Sequence, residues 1–283
     1  MGVSISVDYM LEEIAIAEGS LSKRVEFLTK YCNIKQNSSQ AWLSFQEVEN
    51  ISGDELTLDS FRNSYCVGGI DLSQTTDLTA CCVVIERDEK LYVISQFFMP
   101  ANRIKDAQAE DGVPYEIFVR QGLLKLSGEN YVDYHDCFDW FTKLIEEYEI
   151  YPLKVGYDRY SAQYLVEDMK RYGFHMDDVF QGTNLTPVIR ELEGIIKDKA
   201  INIGNNNLLK AHLLNTALKH DTENQKVKPV KIKARSRIDG AAALLDAMTV
   251  RQKWYADIGE QLKNIDEDEN EQNEQGGEAD GAV

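Results

Sequence analysis

Apolar and polar positions change rhythm at Tyr65. Upstream, Met10, Ile14, Ala17, Leu21, Val25 and Leu28 recur at helical spacing across residues 8–31, and a polar stretch around Asn37-Ser38-Ser39 leads to Trp42, the pattern of a connecting arm. From Tyr65 the apolar runs shorten to strand length. Residues 66–72, 79–86 and 91–98 are apolar or β-rich, and Arg87-Asp88-Glu89-Lys90 separates the last two, so three consecutive antiparallel strands are expected. Residues 101–134, broken by Gly112, Pro114, Gly122 and Gly128, read as an insertion containing a helix. Beyond it the spacing predicts helices over 136–149, 161–172, 186–199, 207–219 and 239–254. Short strands are expected over 153–158 and near 178–181, and a basic extended segment over 226–235. A meander followed by alternation with helices is the signature of an α/β protein, a mixed sheet with helices on its faces. Three segments follow: an arm over 1–64, the α/β domain over 65–256, and a tail over 257–283.

Composition permits a globular core, with 43% hydrophobic and 10% aromatic residues in 283. The longest apolar runs fall well short of the roughly 18 residues that a membrane span requires, and the acidic N-terminus is unlike a secretory leader. The expectation is an intracellular protein without a membrane partner. Five cysteines, Cys32, Cys66, Cys81, Cys82 and Cys137, include no C-x-x-C pair and point to neither zinc nor a disulfide framework. Cys81 and Cys82 are neighbours in an expected strand, so they should face opposite ways as small buried hydrophobes.

The net charge of −18 argues at first against a nucleic-acid partner. Its distribution modifies that conclusion, because eight of the carboxylates lie in residues 264–283 without a Lys or Arg among them, as in a disordered tail. Conversely, Lys226, Lys228, Lys231, Lys233, Arg235 and Arg237 fall within twelve residues that contain no acid. Such a strip can be a solvated strand face or a contact for phosphates.

Three acids stand at the ends of expected elements. Asp71 closes the first strand in VGGIDLSQTTDLTA, Asp158 closes the fourth, and Asp239 opens the last helix in SRIDGAAALLDAM. Each has a structural explanation: Asp71 in a turn with Ser73 and Thr75, Asp158 paired with Arg159 or capping a helix, Asp239 at a helix N-terminus. Together they can be ligands, because sites in α/β sheets form where strand ends and helix starts converge. Two divalent ions roughly 3.5–4 Å apart, held by such carboxylates, promote phosphodiester cleavage, and carboxylate and water ligands suit Mg²⁺ or Mn²⁺. Asp246 is seven residues after Asp239, about 10.5 Å along a helix axis at 1.5 Å per residue, so both cannot serve one compact pair of ions. Asp239, at the mouth of the site, is the expected ligand; Asp246 and the turn residue Asp77 are accessory possibilities.

VGGIDLSQTTDLTA at 67–80, VGYDRYSA at 155–162, QGTNLTPVIRELEGIIKDKAINIGNN at 181–206 and RIDGAAALLDAM at 237–248 resemble successive motifs of the nuclease domain of tailed-phage large terminase subunits. FLTKYCN and NSSQAWLS, within 27–44, resemble the segment that joins the ATPase half to that nuclease. The resemblance covers roughly residues 20–255. It implies a ribonuclease H-like fold and a two-metal endonuclease that cuts concatemeric double-stranded viral DNA during head filling, with Asp71, Asp158 and Asp239 as the catalytic acids. It further implies an ATPase domain, a small terminase subunit and a portal protein as partners, and work in the host cytoplasm, transiently at the procapsid portal. No G-x-x-x-x-G-K-[ST] occurs, so P-loop ATP hydrolysis is not expected, and the chain reads as the nuclease part of a larger motor. With that resemblance, Lys228, Lys231, Lys233, Arg235 and Arg237 become DNA-binding residues beside the metals. Within the same fold, a recombination, transposase-type or junction-resolving nuclease would use similar acids. A non-catalytic DNA-binding assembly module would use them structurally. An actin-like or sugar-kinase reading would need a duplicated fold and adenosine-binding glycine motifs, which this chain lacks.

Overall fold

The structure is a computed structural model that describes residues 9–11, 13–14, 41–73, 78–159, 163–221 and 224–259. Most of the helix expected over 8–31, the residue Asp77, and the acidic tail from residue 260 lie outside the described residues.

Strands β1 (Ser64–Asp71), β2 (Thr79–Arg87) and β3 (Lys90–Met99) form the expected antiparallel meander, in which Asp71 faces Ala80 and Ala80 faces Phe97. Asp88 and Glu89 turn between β2 and β3 with φ of 52° and 58°, the two left-handed positions that close a two-residue hairpin. A short strand, β4 (Leu124–Leu126), runs parallel to the end of β3. On the other side of the meander, β5 (Ile150–Asp158) lies parallel to β1 with Gly69 beside Gly156, and β6 (Met176–Val179) lies parallel to β5. The sheet order is β4-β3-β2-β1-β5-β6, with β7 (Ile201–Asn202) paired to the start of β3. Two of these strands, β4 and β7, had no strand signal in the sequence, being only three and two residues long.

Both faces of the sheet are covered, which explains the unbroken apolar run of β2. Ala80, Cys82 and Val84 enter one core, and Cys81, Val83 and Ile85 the other. The expectation that the two cysteines point opposite ways therefore holds. One face carries α4 (His135–Glu146) and α5 (Gln163–Tyr172). The other carries α2 (Ile104–Asp111) and α3 (Tyr115–Arg120) of the insertion, α6 (Thr186–Lys197), α7 (Asn207–Leu214) and α8 (Asp239–Lys253). A small helix, α1 (Phe45–Asn50), is closed by a capping box between Ser44 and Glu47 and precedes the sheet.

The helix expected over 207–219 ends at Leu214. Residues Thr216–Asp221 instead form β8, which pairs antiparallel with β9 (Lys226–Lys231) in a hairpin outside the main sheet. Pro229 is accommodated because β9 is the edge strand of this hairpin, pairing only with β8. The basic segment is accordingly a strand only to Lys231, and the alternation expected to align Lys231, Lys233, Arg235 and Arg237 on one face stops there. The hairpin is anchored by Thr186 at the start of α6: its hydroxyl accepts from the Val227 amide at 2.9 Å and donates to the Val227 carbonyl at 3.0 Å.

Helix α8 determines the site. It is almost wholly buried, and small residues bring its backbone directly onto the sheet. A methyl group on Gly69 would lie 1.9 Å from the Ala243 carbonyl oxygen, and one on Gly156 would lie 2.4 Å from that of Asp246. Gly240 sits over Phe97 of β3, while Lys253 and Trp254 donate to Asp177 of β6. The helix thus crosses the strands from β3 over β1 and β5 to β6.

Candidate active site

The crossing decides which acid of α8 reaches the strand ends. Asp71 and Asp158, at the C-terminal ends of the adjacent parallel strands β1 and β5, are half-buried. The residue of α8 that joins them is Asp246, in the middle of the helix and fully buried. Gln181, just beyond β6, links the group: its amide nitrogen donates to Asp246 Oδ2 at 2.9 Å and reaches Asp71 Oδ1 at 3.4 Å. Burial pushes the Asp246 carboxyl well above the usual carboxylate range. The charges of Asp71 and Asp158 add to that rise, and the Gln181 hydrogen bond opposes it. Its Oδ1 is buried without a hydrogen-bond partner.

Asp239 is elsewhere. At the first turn of α8, over the β3 side, it lies with its Oδ2 3.8 Å from Nδ1 of the buried His212. That nitrogen accepts the Gly240 amide at 2.9 Å. Burial, aided by the charges of Arg237 and Lys231, pushes the His212 pKa down to about 3, so the imidazole is neutral and its approach to Asp239 is not an ion pair. The expected set of Asp71, Asp158 and Asp239 is therefore not the set that the structure brings together. The 10.5 Å separation argument holds, but the helix crosses the sheet instead of entering at its rim, so its middle meets β1 and β5.

The basic residues also separate. Lys228, Lys233 and Arg235 are exposed and Lys231 is half-buried. Arg237, with Asp111, forms a buried ion pair at 2.5 Å between α8's approach and the insertion, and Tyr115 donates its hydroxyl to the same carboxylate at 2.8 Å. Arg237 is thus committed to the fold and removed from the expected DNA-contacting strip. A cavity of about 590 Å³ adjoins this pair, lined among others by Tyr115, His212, Lys233 and Arg235, and none of Asp71, Asp158 or Asp246 borders it.

Around the acids, Tyr134 donates its hydroxyl to the Ser73 carbonyl at 2.9 Å, tying the chain that leaves Asp71 to the start of α4. Arg159, next to Asp158, pairs with Asp178 at 2.7 Å. Gln181 stands between two of the acids, a placement that the sequence does not disclose; its signal there is a polar residue followed by glycine directly after a short strand.

The donor set fits a divalent cation: three carboxylates, a neutral amide, and a buried carboxylate oxygen without a partner. Among the described residues no three His, Cys, Asp or Glu side chains already converge closely enough to hold an ion unaided. The Gln181 nitrogen stands between two of the acids instead.

A mixed sheet of this order, crossed by a helix that adds an acid to those of β1 and β5, defines a ribonuclease H-like protein. The family model for the terminase large subunit, endonuclease domain, matches residues 1–253, and the chain belongs to that family. It is 26% identical over 194 residues to the large terminase subunit of Enterobacteria phage HK97, covering 67% of this chain and 38% of that protein. It is 24% identical over 260 residues to protein YmfN of Escherichia coli K12, covering 88% of this chain and 56% of that one. The crystal structure of the HK97 large terminase shares the fold at a TM-score of 0.65 and 22% identity, covering 88% of this chain and 51% of that one. The chain thus spans between about two fifths and just over half of the length of these relatives. No helix among the described residues is long and apolar enough to cross a membrane.

Proposed function

We infer that this chain is a metal-dependent DNA endonuclease which hydrolyses phosphodiester bonds at Asp71, Asp158 and Asp246, and that its substrate is concatemeric double-stranded viral DNA being packaged. The observation that carries the reading is the joining of the buried Asp246 to Asp71 through Gln181, beside Asp158. When bound, two Mg²⁺ or Mn²⁺ ions supply a hydroxide nucleophile and neutralise charge on the leaving oxygen. The chain's own part is to hold the acids. Asp71 and Asp158 are fixed by adjacent parallel strands, and Asp246 by a helix locked against two glycines. The exposed Lys228, Lys233 and Arg235, with Lys231, grip backbone phosphates. The hairpin that carries Lys228 and Lys231 is fastened through Val227 to Thr186, five residues after Gln181, which supports this reading. Residues 65–256 form the nuclease domain. An ATPase domain, a small terminase subunit and a portal protein are the partners, in the cytoplasm of the host cell.

Supercoiled plasmid incubated with the full chain and Mn²⁺ or Mg²⁺ should be nicked, and chelator should stop the reaction. Persistent nicking by Asp71→Asn would defeat the catalytic assignment. Cutting confined to four-way junctions, with linear duplex spared, would make the chain a resolvase instead.

A further inference from the structure

We propose that Gln181 is a positioning residue that takes a cation's place between Asp71 and Asp246 and must be displaced before an ion can bind. This rests on the metal-centre reading above. One amide nitrogen serves both acids, at 2.9 and 3.4 Å. That orientation is the only one in which both contacts attract, since the amide oxygen would be repelled by both carboxylates. An ion held by Asp71 and Asp246 would compete for the space that the amide fills. A carboxamide nitrogen cannot ligate it, so the amide has to leave or turn.

The backbone around Gln181 is braced on both sides, so the movement belongs to the side chain alone. Upstream, Phe180 lies under the Arg159 guanidinium, 5.4 Å from its ring centre, and Arg159 is itself held by Asp178. Downstream, Gly182 donates to the Phe180 carbonyl at 2.9 Å, and Thr186 is fastened to Val227. A long side chain on a fixed backbone can change partners without refolding its support. The second carboxylate oxygen of Asp246, buried and without a partner, is the atom that this exchange leaves waiting. Gln181 thereby lowers the repulsion between acids in the unloaded protein and raises the ion concentration needed to load it.

The test uses the full chain and Mn²⁺ alone, titrated by calorimetry with thermal melting in parallel. Gln181→Met keeps length and removes both the donors and the amide oxygen. It should bind Mn²⁺ about tenfold more tightly, the equivalent of one hydrogen bond to a charged group, while the metal-free protein melts lower. Gln181→Asn, whose amide is one methylene shorter, should change both quantities in the same directions by less, and gives a second reading should the Met variant fold poorly. Weaker or unchanged Mn²⁺ affinity in variants that fold would overturn the proposal, because a ligand or a merely structural residue predicts those results. If the wild-type chain shows no saturable Mn²⁺ binding, the metal-centre reading falls and this proposal with it.

Discussion

The carbonyl oxygen of Asp246 lies so close over Gly156 that a methyl group there would approach it to 2.4 Å. The acid's depth in the site is therefore set by a missing side chain on the neighbouring strand. Gly69 does the same one strand away, with 1.9 Å to the Ala243 carbonyl oxygen. Both obstacles are backbone atoms, which cannot swing aside as a side chain would.

Substituting these glycines tests that arrangement. Gly69→Ala should destabilise the protein by about 3 kcal/mol, the upper range for overpacking a core, read as a lower denaturant midpoint. Gly156→Ala, with a little more room, should be milder in stability yet should reduce Mn²⁺-dependent nicking, because it lifts Asp246 itself.

The two acids of α8 should separate in assay. Asp246→Asn is expected to lower plasmid nicking by at least about 100-fold, the loss that follows when a metal's ligand sphere is disturbed. The same change removes a charge that burial and Asp71 disfavour, so its melting temperature without metal should rise. Asp239→Asn should reduce nicking far less. Equal loss in both variants would return Asp239 to the site.

His212 sets an acid limit on stability. Its folded pKa is lowered to about 3 from an ordinary 6.5, so the unfolded chain takes up a proton that the folded one refuses. Above pH 6.5 this has no effect on stability; below it, stability falls by about 1.4 kcal/mol per pH unit until the folded pKa is reached. His212→Asn, which keeps an acceptor for the Gly240 amide, should flatten that decline between pH 6.5 and 4 in chemical denaturation.

Arg237 and the exposed cations should fail in different assays. Removing one partner of the buried Arg237–Asp111 pair should cost about 3–5 kcal/mol of stability, with the double variant Asp111→Ala/Arg237→Ala less damaged than the two singles combined. Alanine at Lys228, Lys233 or Arg235 should leave the melting temperature unchanged and lower the slope of log affinity for duplex DNA against log salt by about 0.9 each.

The sequence made most of the sheet legible because its signals are local. Two-residue alternation, the polar break at 87–90 and the acids ending β1 and β5 all lie within a few residues of what they predict. What escaped depends on distant partners. Asp246 meets Asp71 only through the crossing direction of α8, which spacing along a helix does not encode. Gln181 finds its hydrogen-bond partners in acids 110 and 65 residues away, and Arg237 is withdrawn from the basic strip by an aspartate 126 residues away. The strand at 216–221 reads as helix in the sequence because Leu213 and Leu214 extend the apolar spacing of α7 up to it, and only its pairing with β9 reveals it.

Seating α8 in two glycine notches also has a mechanical meaning. Tension applied along the helix axis would have to drag the Ala243 and Asp246 carbonyls over Gly69 and Gly156, so the pull passes into two strands at once as shear. The acid at the centre keeps its station under strain, and the cluster around Asp246 fixed in this way stays aligned while the chain around it is pulled.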